Sequence, residues 1–307
     1  MTKHKIYTIG NLTIDDIILY DSQEMFLEST GGDAIFSAIG FLIWGTQVHV
    51  LARRGLDFPE QNMKKLCQAG ITPDFVWVPH RDIRDWALYE PGGARQFINH
   101  LSSGGHHDLS ITGSDISDEH LSGDLYHVAP MPTDVQASVV DRLSSAGRTI
   151  SLDPHVDYLK QPHFNQQAYE MLNHVKFILP SKEEAVNMYG SNDLERAARD
   201  FGSYGPKVVA IKMSRDGSLL YDVEKSQMYH VPVYPALTVD PTGAGDSYCG
   251  GLLAGYLITG DPVMAACYGT VSASYIIECV GTLTVLGSNF SDAHKRLEHV
   301  KRNVTRL

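Results

Sequence analysis

The second half of the chain switches repeatedly between short β-branched runs and amphipathic runs, and most switches carry a turn or stop residue. Residues 133–146 have helical spacing and end at Gly147. Residues 149–152 form a short strand pattern leading into Asp153-Pro154. Residues 175–179 and 207–212 read as further strands, and 182–189 as a helix stopped by Gly190. Asn192 and Glu195 have capping-box spacing for the next helix. Asp216-Gly217 turns the chain into 218–222, its expected hairpin partner. Asp261-Pro262 opens a long final helix toward Glu278. Strands alternating with helices predict a mostly parallel sheet covered on both faces. A chain of 307 residues, 43% hydrophobic and 20% charged, is long enough to bury such a core. We read residues 1–307 as one domain.

The first hundred residues break this rhythm. Residues 6–9 are a buried-type strand that stops at Gly10, and 34–44 form a helix opened by Gly31-Gly32. Residues 14–20, 86–89 and 95–98 carry strand-like sequence, with a turn at Pro91-Gly92-Gly93. Strands outside the main alternation predict a small β-flap, or lid, drawn from about 12–30 and 75–100. Such a lid over the α/β body would exclude water from a transfer reaction.

One segment concentrates the chemistry. In Asp240-Pro241-Thr242-Gly243-Ala244-Gly245-Asp246, three small residues precede an acid, and an apolar helical stretch follows. Small residues let backbone N–H groups converge on an anion, and the helix N-terminus adds its positive dipole end. Asp246 is then placed to take a proton from a nucleophile beside that anion.

Other chemistries find less support. A formal net charge of -11 argues against nonspecific nucleic-acid binding. No apolar run is long enough to span a membrane, and no secretory leader is evident, so the expected setting is cytoplasmic. Cys67, Cys249, Cys267 and Cys279 lack metal spacing and read as reduced core residues. His106-His107-Asp108 lacks the spacing of a transition-metal site, and Gly31-Gly32 lacks that of a dinucleotide fingerprint. His155 follows a strand end, where α/β sites gather. Trp44, Trp77 and Trp86 read as core or flap packing, and the basic stretch 295–306 as a solvated helix face.

The segment 240–246 resembles the C-terminal signature of the ribokinase-like (PfkB) carbohydrate kinases. Gly31-Gly32 resembles that family's N-terminal signature, and Asp15, Asp153-Pro154, Glu184 and 212–217 fall in the family's order. The resemblance implies a three-layer αβα fold with a small β-flap. It implies transfer of the γ-phosphate of ATP to a hydroxymethyl group of a small sugar or nucleoside. On that resemblance Asp246 is the general base, and Gly243, Ala244 and Gly245 are the anion hole. Asp15, Gly31, Gly32 and Asp33 hold the acceptor. Lys212, Gly217 and Thr242 border the nucleotide, and Glu184 organises Mg²⁺ through water. A monovalent-cation site and a homodimer through the lid are left open.

Three positions depart from the pattern. Ser181 stands where the family's Asn-x-x-Glu motif has Asn. Phe36 stands where ribokinases proper carry Asn, which argues against ribose itself as acceptor. Lys212-Met213-Ser214 replaces the usual Thr-Leu-Gly. These departures motivate an alternative: a catalytically degenerate sugar- or nucleoside-binding regulatory protein on the same fold.

Overall fold

The computed structural model describes residues 4–19, 24–89, 95–99, 102–155 and 160–307. The expected turn at Pro91-Gly92-Gly93 and the end of the 14–20 run at Tyr20 lie outside these residues.

Ten strands form the main sheet, in the order β14-β13-β12-β11-β10-β9-β8-β1-β4-β5. They are β1 (Ile6–Ile9), β4 (Val48–Arg54), β5 (Ile71–Trp77), β8 (Leu125–Val128), β9 (Ile150–Leu152), β10 (Phe177–Ile178), β11 (Val208–Lys212), β12 (Ser218–Asp222), β13 (Gln227–Val231) and β14 (Thr305–Arg306). From β5 to β11 every neighbouring pair is parallel. β11 to β14 pair antiparallel, beginning with the hairpin expected at Asp216-Gly217. The parallel strands are buried on both faces, so one core lies on each side. One contains Phe36, Phe41, Leu252 and Val271, the other Tyr126, Val139, Leu172 and Phe201. This is the three-layer αβα arrangement.

A separate sheet of four strands lies apart from the main one, in the order β3-β2-β6-β7. Its strands are β2 (Thr13–Ile18), β3 (Met25–Gly31), β6 (Ile83–Tyr89) and β7 (Arg95–Asn99). β2 pairs parallel with β6, and Asp15 stands opposite Asp85 in that register. Residues 75–77 belong to β5 on the main sheet and not to the lid.

Several local readings need correction. The cap before the Leu194–Tyr204 helix is Asp193, whose carboxylate accepts from the Arg196 N–H at 3.1 Å, and not Asn192. The Pro262–Ile276 helix is not the last: Thr282–Leu286 and Ala293–Arg302 follow it. Cys67 is exposed and Cys279 half-buried, so only Cys249 and Cys267 are core residues. Trp77 and Trp86 are 61% and 42% exposed. Trp77 ends an edge strand, and Trp86 alternates with the buried Ile83 and Ala87 along β6. Trp44 does pack, with its ring 4.1 Å from that of Tyr268. Arg296, expected in solvent, is buried between the rings of Tyr234 and Tyr275 and paired with Glu278 and Asp292. Among the described residues no helix is long and apolar enough to cross a membrane.

Candidate active site

Two helix N-termini meet near the C-terminal end of the parallel strands. Gly32 caps the Asp33–Leu42 helix and Gly243 caps the Ala244–Thr259 helix. The helices cross almost backbone to backbone. A Cβ built on Gly250 would stand 1.9 Å from the Ser37 carbonyl oxygen, and one on Gly40 2.3 Å from that of Ser247. The apolar run after Asp246 is buried from Ser247 to Gly255 because it lies between the sheet and neighbouring helices. The crossing brings Asp33 and Asp246 together. Burial, then the charge of Asp246, holds the Asp33 carboxyl well above its ordinary value.

Two cavities open at this point. The smaller, about 340 Å³, is lined by Asn11, Thr13, Asp15, Phe36, Asp85 and His106 among others. The larger, about 1360 Å³, runs past Lys212, Gly217, Glu184, Ala244 and Gly245 to a wall made by 233–239 and the Pro262–Ile276 helix. Both are lined by Asp33, His155, Gly243 and Asp246. The acid of the 240–246 segment therefore stands where the cavities join.

On the small-cavity side, Asp15 is 6% exposed. Its Oδ1 accepts from the Thr13 hydroxyl at 2.7 Å. Its Oδ2 lies directly over Gly31, where a Cβ would come within 1.9 Å. Gly31 thus makes room for the acid rather than lining either cavity. Burial pushes the Asp15 carboxyl up to about 7, with Asp85, Asp240 and Asp16 adding to the rise. Phe36 is 4% exposed, and its ring underlies Gly243, so it supports the loop as well as lining the cavity.

On the large-cavity side, Lys212 is the central cation. Its ammonium pairs with Asp153 and lies 3.5 Å from Cys249 Sγ. A Cβ added to Gly245 would stand 3.7 Å from Lys212 Nζ, so the charge sits beside the expected anion hole. Burial works against the Lys212 ammonium, but Asp153, Cys249, Glu184 and Asp246 hold it well above its ordinary value. Burial also raises the Asp153 carboxyl, against the pull of Lys212. One oxygen of Asp153, Oδ1, is buried with no hydrogen-bond partner among the described residues.

Ser181 does more than stand in for an amide. It caps the Lys182–Tyr189 helix, and Glu184 Oε2 accepts the Ser181 N–H at 2.5 Å in a reciprocal capping box. Burial holds the Glu184 carboxyl above its ordinary value, against the pull of Lys212. Ala244 donates its N–H to the Pro241 carbonyl at 3.3 Å, so this expected anion-hole donor already closes the loop. Thr242, expected at the nucleotide, lines the small cavity, and its N–H donates to Asp240 at 2.8 Å. Sequence reading missed Asn11, Asp85 and Met131. Asp85 becomes visible only once β2 and β6 are paired in register.

Comparison with known proteins bears on the family and the fold. The family model described as pfkB family carbohydrate kinase matches residues 3–287. The cytidine kinase of Thermococcus kodakarensis is 26% identical over 253 residues, 82% of this chain and 88% of that one. The fructokinase of Klebsiella pneumoniae is 24% identical, over 84% of this chain and 86% of its own. An E. coli protein provisionally named ribokinase II, solved with ATP and Mg²⁺, superposes with a TM-score of 0.81 at 19% identity. The match covers 96% of this chain and 99% of that one. With the family model spanning nearly its whole length, the chain belongs to the pfkB family of carbohydrate kinases.

Proposed function

We propose that the chain transfers the γ-phosphoryl group of ATP to a hydroxymethyl group of a nucleoside or small sugar. The observation that carries this reading is the meeting of the two cavities at Asp246. An acceptor held in the smaller cavity presents its O–H to Asp246, while the triphosphate enters along the larger. Asp246 takes the hydroxyl proton as the oxygen bonds to phosphorus. The bond from phosphorus to the β,γ-bridging oxygen breaks, and ADP leaves. Little covalent help is needed; positioning and electrostatics carry most of the catalysis.

The residues present fit a nucleotide polyphosphate. Lys212 brings a buried cation beside Gly245, and the helix N-terminus adds its dipole. They also fit Mg²⁺ in the manner that ion prefers, through few carboxylates and retained water. Among the described residues no cluster of three or more metal-binding side chains exists. Glu184 and Asp153 both line the larger cavity, and Asp153 has its orphaned oxygen. These two would hold the ion's waters, and the ion when bound neutralises phosphate charge. The cytidine kinase and fructokinase relatives, and the ATP and Mg²⁺ bound in the E. coli structure, support the same reading.

The test is ADP release with ATP, Mg²⁺ and a panel of nucleosides and sugars. The reading expects acceptor-dependent ADP release. Silence across the panel, with ATP still bound, would favour a binding protein that has lost its chemistry.

A further inference from the structure

The smaller cavity contains a residue that the family signatures do not mark. Asp85 lies on lid strand β6, directly opposite Asp15 on the parallel strand β2, so both side chains leave the same face of the lid. Both line the cavity. Asp85 Oδ1 accepts from Asn99 Nδ2 at 3.0 Å, and Asn99 also donates to Ser102 at 3.1 Å. That link ties Asp85 to β7, which pairs with β6 at this same residue. Each acid therefore has one oxygen held by the protein, Asp15 by Thr13 and Asp85 by Asn99. Among the described residues the second oxygen of each takes no hydrogen bond. Asp15 is more than nine-tenths buried and lines the cavity, where a ligand O–H can reach its open oxygen.

The cavity's charge is one-sided. Among the described residues, Asp15, Asp33, Asp85 and Asp246 line it and no lysine or arginine does. The basic side chains among those lining residues are His106 and His155. An anionic acceptor entering here would meet like charge at close range. A neutral acceptor with two adjacent O–H donors would satisfy both open oxygens at once. Neighbouring strands stand about 4.8 Å apart, so a vicinal diol between them can give one hydrogen to each acid.

We infer that Asp85 is a second acceptor-binding carboxylate, and that it pairs with Asp15 to select a neutral acceptor carrying a vicinal diol, as the ribose of a ribonucleoside does. This inference rests on the kinase reading for its chemistry but not for its binding. The lid thus takes part in recognition as well as covering the site. Closure of Asp85 over the acceptor would couple the presence of the diol to assembly of the site.

The probes are cytidine, 2′-deoxycytidine, fructose and gluconate, with the full chain and ATP–Mg²⁺. Wild type should favour cytidine over 2′-deoxycytidine and reject gluconate. Asp85→Asn should raise the KM for cytidine by roughly 10- to 100-fold, the scale of one lost hydrogen bond to a charged group. It should affect kcat less, leave the KM for ATP near wild type, and narrow the preference for cytidine over 2′-deoxycytidine. Asp85→Ser, smaller and uncharged, should behave the same way if the carboxylate matters and its bulk does not. A calorimetric titration of cytidine without ATP reads the same contrast even if no acceptor is phosphorylated. Equal affinity of wild type and both variants for cytidine, or gluconate bound as well as cytidine, would overturn the inference while leaving the kinase reading to the panel assay.

Discussion

Gly243 stands directly over the ring of Phe36: a Cβ built on it would lie 2.1 Å from the ring carbons Cγ and Cδ1. Its φ is 74°, in the left-handed region that favours glycine. Two departures from chance thus meet in one contact. The aromatic side chain that stands where ribokinases proper carry Asn supports the glycine that begins the Ala244–Thr259 helix. We expect Gly243→Ala to cost about 2 kcal/mol or more in stability, from backbone strain and displacement of the ring. Activity should fall further than stability does, because the proposed transfer site lies on this loop. Thermal melts and steady-state rates on the variant check both.

Lys212 should matter for the phosphate and little for the acceptor. Its ammonium lies beside Gly245 and is held there by Asp153. Lys212→Met should lower kcat/KM for ATP by roughly 10²- to 10³-fold, the scale seen when one preorganised charge-stabilising donor is lost. The KM for the acceptor should change little. Initial rates with each substrate varied in turn separate the two effects.

Asp15 sets a pH dependence with a definite sign. Its folded pKa is raised to about 7 from an ordinary value of 3.8. The folded state therefore binds this proton more tightly than the unfolded state does. Stability is full below the unfolded pKa and is lost as pH rises toward 7. Asp15→Asn removes that titration. The variant should gain stability relative to wild type between pH 4 and pH 7, by roughly 2–4 kcal/mol at pH 8. It should also lose acceptor binding. Denaturant melts of both proteins at pH 4 and pH 8 check the sign.

Arg296 joins the last long helix to the wall of the large cavity. It is 8% exposed, donates to Ser274 at 3.0 Å and to Glu278 at 2.9 Å, and lies 3.9 Å from the centre of the Tyr275 ring. Arg296→Ala strands these partners and opens a gap. The expected loss is roughly 2–4 kcal/mol. Because Tyr234 and Ser274 line the large cavity, the KM for ATP should rise as well. A urea melt and an ATP titration measure the two.

Some of this was legible in the sequence because it is local. The strand pattern of β9 to β12 and the segment 240–246 depend on residues near one another in the chain. So do the glycines at 31 and 32, which open a helix. The lid's facing was not legible. Asp85 and Trp86 are adjacent, and only the register of β6 against β2 decides which one enters the cavity. Arg296 reads as one more exposed cation in a basic helix until Glu278, Asp292 and two tyrosines come to it from other segments. Ser181 reads as a lost amide, although Ser-x-x-Glu is also the local spacing of the capping box that the structure shows. The facing of the lid and the burial of Arg296 depend instead on contacts between segments distant in sequence.

The central claim is that Asp246 takes the acceptor's proton where the two cavities join. Single-turnover ADP formation by Asp246→Asn, with ATP–Mg²⁺ and an acceptor that wild type phosphorylates, tests it most directly. The account predicts a fall in rate of roughly 10²- to 10⁴-fold with ATP binding retained. A variant that turns over at the wild-type rate would contradict it.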